Sequence, residues 1–301
     1  LDSGFYLNNI RSPILLQGSE TTGYRDPTAV YEAGLFRLYF TLVQTEPDGQ
    51  VYMYTAMSES KDLLYWSKPE RLTARDQQLN FSSPGNIIKN HDRWVMCLQT
   101  YPRPKGEKYG NDTSRLWTME SDDLVHWESP QLLKVKGEQV DTGQMGRMID
   151  PYLVESAEEP GLWWCFYKQN GVSSSYSRDL VHWKYAGRAN AGENVCIIRE
   201  EHEYVMFHSP ENGIGMMRST DLQMWREEEK LLTLGQEHWR WAQGRLTAGF
   251  VLDCREVEGV RKYLLFFHGT GPESEETIFD THACIGMAWS DDLVNWEWPR
   301  I

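Results

Sequence analysis

The string SDDLVHW occupies residues 121–127, and close variants recur as SKDLLYW (60–66), SRDLVHW (177–183), STDLQMW (219–225) and SDDLVNW (290–296). The aspartates of these five Ser-x-Asp-Leu-x-x-Trp strings are Asp62, Asp123, Asp179, Asp221 and Asp292, 42 to 71 residues apart. Repeats of that length, with unequal insertions between them, belong to a propeller rather than a tight solenoid. An Asp in such a string can accept hydrogen bonds from nearby backbone N–H groups and fix a tight turn. Leu and Trp are then free to pack between neighbouring units. Five separate aspartates cannot share one active site, so the motif is architectural and the chemistry must be sought elsewhere in each unit.

Upstream of each copy lies a short run, a polar or Gly-containing turn and a strongly β-prone segment. The runs are RDPTAVYEAGLFRLYFTLVQ (25–44), SSPGNIIKNHDRWVMCLQ (82–99), MIDPYLVESAEEPGLWWCFYK (148–168), GENVCIIREEHEYVMFH (192–208) and GRLTAGFVLDCREVEGVRKYLLFFH (244–268). Val, Ile, Phe, Tyr and Trp dominate the second half of each, and no stretch sustains a 3.6-residue apolar period. The chain therefore reads as all-β. It is a single domain, residues 1–301, forming a five-bladed β-propeller whose radial repetition hides most sheet edges. The blades fall roughly at 20–72, 80–135, 145–190, 191–235 and 240–301. Residues 1–19 would supply a strand that closes the ring.

Net charge is −14 over 301 residues, a surface that repels a phosphate backbone and argues against nucleic acid as a partner. No apolar run approaches the ~20 residues of a membrane span. The five cysteines, Cys97, Cys165, Cys196, Cys254 and Cys284, are odd in number and widely spaced in strand-like runs. They read as small buried hydrophobes, not as a disulfide or metal framework. That leans toward a reducing, cytoplasmic compartment, and leaves a periplasmic or secreted location open if a leader has been removed. Oligomeric state is not legible.

The leading positions of the five runs would crowd the mouth of the central channel. They are Asp26, Ser83, Asp150, Glu193, and Arg245 or Thr247. Three carboxyls aimed at one small volume repel each other and shift each other's pKa, which a fold built only for stability would avoid. Two carboxyls are what glycosidic-bond hydrolysis requires, and a third can keep one of them protonated. Around them Arg25, Ser83, Gln99, Lys168, His208, Arg245 and His268 are candidates to bind sugar hydroxyls. Trp241 is a candidate stacking platform. The substrate partner is then an oligosaccharide or polysaccharide.

From about residue 20 to the end, the chain resembles glycoside hydrolase family 43 and its five-bladed relatives. The resemblance rests on RDPTAV (25–30), MIDPYLV (148–154) and ENVCIIREEHEYVMF (193–207). It implies an inverting glycosidase with Asp26 as general base, Asp150 as the residue that tunes the acid, and Glu193 as general acid. The family often places a His at the head of blade five near a channel cation. Here WAQGRLTAGF (241–250) offers Arg245 instead, so no cofactor is required and a Ca or Na ion in the channel is doubtful. Blade two has FSSPGN (81–86) in place of the family's Trp-containing stretch. Insertions in blade two (101–115) and blade five (269–282) would wall the pocket and favour exo action on a terminal pentose or galactose-type sugar of plant or algal origin. Two other readings stay open at this point, a non-catalytic sugar-binding propeller and a retaining fructan-type hydrolase.

Overall fold

Five antiparallel sheets, four of four strands and one of five, stand around a central channel in the computed structural model, which describes residues 4–299. Blade one contains Thr22–Glu32, Leu35–Thr45, Val51–Ser60 and Glu70–Arg71, in that order from the channel outward. Blade two contains Ser82–Asn90, Arg93–Gln99, Leu116–Ser121 and Gln131–Leu132. Blade three contains Ile149–Glu155, Trp163–Lys168, Val172–Ser177 and Trp183–Ala189. Blade four contains Glu193–Arg199, Tyr204–Ser209, Gly215–Ser219 and Arg226–Glu227.

Blade five is assembled from both ends of the chain. Its strands Arg245–Asp253, Tyr263–Thr270 and Cys284–Ser290 are completed by Ile14–Leu16, which pairs with Gly286 and Ile285. Trp296–Glu297 pairs with the far end of the same third strand. Residues 1–3 of the proposed closing segment lie outside the described residues. The second strands run through the core, as the fully buried Leu38, Tyr39 and Phe40 in blade one and Phe266 and Phe267 in blade five show. All five cysteines are free and buried.

The Ser-x-Asp-Leu-x-x-Trp strings are corners between the third and fourth strands. Each Asp accepts from the backbone N–H groups two and three residues on, as Asp123 does from Val125 (2.9 Å) and His126 (2.7 Å). The same pair forms at Asp62, Asp179, Asp221 and Asp292. The turn forces every one of the five leucines to a φ between 62° and 68°, which costs an L-residue about 1–2 kcal/mol. Packing offsets that strain. Trp127 meets Tyr39 of the preceding blade edge-on at 5.9 Å, and Trp225 and Trp296 meet Phe166 and Phe207 in the same way. The Tyr39 hydroxyl also donates to Leu124 O at 2.6 Å, so corner and neighbouring blade are locked together.

A second five-fold feature positions the site. Every inner strand slips register at a bulge. At each bulge a residue sits at positive φ: Asp26 (49°), Ser83 (45°), Asp150 (53°), Asn194 (51°) and Ala248 (56°). Four of these residues donate their N–H to a side chain on the second strand of the preceding blade. Ser83 bonds Thr41 Oγ1 (2.7 Å), Asp150 bonds Gln99 Oε1 (2.7 Å), Ala248 bonds Ser209 Oγ (2.8 Å) and Asp26 bonds His268 Nδ1 (3.1 Å). The fifth member of the acceptor set is Lys168, opposite Ile149. An ammonium cannot accept, and the ring of bonds is open there.

This register corrects the sequence alignment in two blades. The equivalent of Asp26 in blade four is Asn194, with Glu193 one residue earlier, and in blade five it is Ala248 rather than Arg245 or Thr247. The cause is the residue that follows. Pro27, Pro84 and Pro151 mark the bulge in the first three blades, whereas Val195 and Gly249 do not.

Ser209 is fully buried and outside the pocket described below. Ser209→Ala leaves the Ala248 N–H buried without an acceptor, a loss of about 1–3 kcal/mol. We expect a lower urea midpoint with an unchanged m-value, and an unchanged midpoint would show that the ring bond contributes nothing.

Candidate active site

At one end of the channel the bulges open into a pocket of about 560 Å³. Asp26, Asp150 and Glu193 all line it, together with Arg25, Gln99, Arg245 and His268. Asp26 and Asp150 arrive there because a positive φ at a bulge turns the side chain out of the regular strand alternation. Asp26 Oδ2 accepts from Thr41 Oγ1 at 2.8 Å, and Asn194 Nδ2 approaches Oδ1 at 3.4 Å. Burial raises the Asp26 pKa, with Arg25 and Thr41 opposing and the acids Glu193 and Glu275 adding to it.

Asp150 is the most deeply set of the three, 7% exposed, and its Oδ1 accepts from Ser83 Oγ at 2.6 Å. Burial, then the charges of Glu193 and Asp26, push its pKa to about 8 against the opposing pull of Ser83 and Arg147. The cluster therefore keeps a proton at neutral pH. The side chains of Glu193 and Asp26 are more open, 29% and 17% exposed.

Glu193 begins a chain of charges. Its Oε1 accepts from Arg245 Nη2 at 2.9 Å, and Arg245 Nη1 donates to Glu275 Oε1 at 3.0 Å. Arg25 Nη2 reaches the same Glu275 oxygen at 2.5 Å. Burial would raise the Glu275 pKa, but Arg25 and Arg245 together hold it below the usual carboxylate range. Arg245 and Arg25 thus act as fixed positive charges tied to carboxylates.

The blade-two and blade-five insertions meet over one side of the pocket. Arg103 holds Asp280 through two bonds of 2.5 and 2.9 Å. Phe279 stacks on Tyr101 at 6.4 Å, meets Tyr109 edge-on at 5.0 Å and lies 4.3 Å beneath the Arg25 guanidinium. The short helix Glu275–Ile278 carries Glu275 into the wall. These contacts make that side of the pocket a closed wall.

Other nominated residues fall elsewhere. Ser83 faces a narrow void under the pocket and reaches it only through its bond to Asp150. His208 and Lys168 are not in the lining. His208 is one residue out of register with the true acceptor, Ser209, so strand alternation turns it to the other face. Its Nδ1 accepts from Gly192 N–H, and burial, then Lys168, lower its pKa to about 4. Trp241 stacks on Trp239 (5.2 Å) and Phe267 (5.9 Å) and is packing, not platform. Glu275, Arg147, Thr41 and Asn194 went unnoticed in the sequence. The missing proline after Asn194 was the only available cue to the shifted register.

His268, the second-strand acceptor for Asp26 N–H, is neutral with its proton on Nε2. Burial, then Arg25 and Arg245, hold its pKa well below the ordinary value. Among the described residues the pocket offers a channel cation no set of three side-chain ligands. The only pocket imidazole uses Nδ1 on the backbone, and the head of blade five is Ala248.

The sequence matches no family model and no curated protein. Solved structures do resemble the fold. A thermostable family-43 glycoside hydrolase superposes with a TM-score of 0.63 at 12% identity, covering 97% of this chain and 100% of that one. The catalytic domain of the Coprinopsis cinerea family-62 α-L-arabinofuranosidase gives 0.64 at 12%, covering 93% and 98%. A family-43 β-1,3-galactosidase with galactodeoxynojirimycin gives 0.62 at 12%, covering 94% and 99%. At this identity what is shared is the architecture: the chain is a five-bladed β-propeller of the shape found in these glycoside hydrolases.

The proton held by Asp150 has a stability consequence. Its folded pKa of about 8 lies above the unfolded value of ~3.9. The stability associated with that proton is present below the unfolded pKa and is lost as pH rises through the folded one. Asp150→Asn does not titrate. Its stability relative to wild type should rise between about pH 4 and pH 8 and level off above. Thermal unfolding at pH 5, 7 and 9 tests this, and a difference independent of pH would place the proton elsewhere.

Proposed function

We propose that this propeller is an inverting, exo-acting glycoside hydrolase that removes a terminal pentose or galactose-type sugar from plant or algal polysaccharide fragments. The observation that carries the reading is the meeting of three carboxyls in one pocket, one of them holding a proton to about pH 8. Hydrolysis with inversion needs a base to activate water and an acid to protonate the leaving oxygen. Environments that drive neighbouring carboxyls apart in pKa supply that pair.

Asp26 serves as the base, oriented by Thr41. Glu193, the most open of the three, donates the proton to the leaving oxygen, and Asp150 beneath it stores and tunes that proton. The wall built by the two insertions supports exo action, because it blocks a polysaccharide from running through. Gln99, Arg25 and Arg245 offer polar groups for sugar hydroxyls. A second reading follows from the high Asp150 pKa: Asp150 itself protonates the leaving oxygen, and Glu193 with Arg245 only binds.

A panel of aryl glycosides and plant and algal oligosaccharides, assayed with wild type and with Asp26→Asn, Asp150→Asn and Glu193→Gln, tests the assignment. General acid–base groups contribute about 10²–10⁴ in rate, so each variant should fall by that order on natural linkages. The acid variant alone should recover on dinitrophenyl glycosides, whose leaving group needs no proton. Recovery by Glu193→Gln supports the first reading, and recovery by Asp150→Asn the second. Wild-type activity should decline as pH rises through about 8, when the stored proton is lost, and at low pH as Asp26 is protonated. NMR of the product anomer reads inversion directly. Full activity in all three variants would rule out this site.

A further inference from the structure

Three arginines line the pocket and a fourth, Arg103, sits in the blade-two insertion that walls it; three of the four are matched by carboxylates. Arg25 and Arg245 share Glu275, Arg245 also holds Glu193, and Arg103 holds Asp280. Arg147 lines the same pocket and makes no ion pair within 4 Å among the described residues, its charge reaching Asp150 only at longer range.

Its placement is firmly built. The loop before the inner strand of blade three is clamped by Gln169, whose Nε2 donates to Arg147 O (3.1 Å) and Met145 O (2.9 Å). From the other side the buried Arg115 donates to Gly146 O (2.8 Å) and Thr142 O (2.7 Å). The Arg147 side chain is steered as well: Nε donates to Gly110 O at 3.1 Å, and the guanidinium carbon lies 5.7 Å from the centre of the Tyr101 ring. One donor is thereby used, and the two terminal nitrogens of this pocket-lining residue have no protein acceptor among the described residues. A guanidinium fixed in this way presents a planar fork to a planar or tetrahedral oxyanion.

The pocket already holds five acids, Asp26, Asp150, Glu193, Glu275 and Glu276, and the whole chain carries −14. An anionic ligand would be repelled from such a pocket unless a cation inside met it. We infer that the pocket takes a sugar bearing an anionic substituent, a uronic-acid carboxylate or a sulfate ester, gripped by the two terminal nitrogens of Arg147. The inference rests on the glycoside hydrolase reading of this pocket and narrows it. A pentose has no C6 carboxylate, so the favoured terminal residue becomes a hexuronic or sulfated sugar.

Binding is read separately from turnover, by titration calorimetry and ligand-observed NMR. The probes are galactose, galacturonate and galactose 6-sulfate, with the matching glucose set. Wild type should bind at least one anion about tenfold more tightly than its neutral counterpart, the scale of one charge-assisted bidentate contact. Galacturonate or glucuronate ahead of the sulfates identifies a carboxylate, and the reverse order a sulfate ester. Arg147→Gln should abolish the preference, and Arg147→Lys, which keeps a point charge without the fork, should retain only part of it.

No preference for any anion, or a preference that survives in a folded Arg147→Gln, overturns the inference. Hydrolysis of neutral aryl glycosides without anion preference would sink this inference alone and leave the hydrolase reading standing. Arg147-dependent anion binding by a protein that cleaves none of the panel would do the opposite.

Discussion

The bond from each bulge N–H to a side chain of the preceding blade is the constraint on which the pocket depends. A bulge at positive φ is a strained conformation for Asp, Ser or Ala, on the order of 1–3 kcal/mol each, and nothing within one blade compensates it. The neighbour does, by offering Thr41, Gln99, Ser209 or His268 as acceptor. Blade docking and carboxylate placement are therefore one event. Asp26 and Asp150 point into the pocket because the ring of blades has closed around them. The open link, at Lys168 and Asn194, falls beside Glu193, the most exposed of the three acids.

From that ring the electrostatics follow. Two carboxyls are fixed close to the axis with little solvent, which raises both pKa values. The third is held by Arg245 of the neighbouring blade, and the arginine is shared with Glu275 from that same blade's insertion. A buried pair broken at one partner leaves an uncompensated charge, so Glu275 is as much a part of the site as the three acids themselves. Its helix is in turn fixed by Phe279 and Asp280 against the blade-two insertion. The wall and the charge chain are one construction.

Much of this was legible in the chain. The five Ser-x-Asp-Leu-x-x-Trp strings announced the blade count because each corner uses the same two backbone bonds, and in three of them the Trp meets the preceding blade edge-on. Asp-Pro at 26–27 and 150–151 marked two of the acids, since proline after the bulge residue fixes its place in the strand. Where proline is absent the reading slipped by one, taking Glu193 for Asn194 and His208 for Ser209. A one-residue error in a strand exchanges faces, which is why His208 lies away from the pocket. Arg147 and Glu275 were invisible for another reason. Each acts from a loop or insertion with a partner in a different blade, Gly110 for Arg147 and Arg25 for Glu275, and no local pattern encodes that pairing.

Closure of blade five by Ile14–Leu16 sets the order of events during synthesis. That strand emerges early, yet its partner, Cys284–Ser290, is some 270 residues away. At the usual elongation rate of about 5–20 residues per second the two are separated by tens of seconds. Through that interval the early strand has no ladder to join, and Pro13 beside it blunts pairing with strangers. Its carbonyl finds its purpose only at the end, accepting from Met287 N–H at 2.9 Å. A ribosome that stalls before blade five leaves four blades, an open ring and no His268 beneath Asp26. The complete pocket is withheld from every unfinished chain.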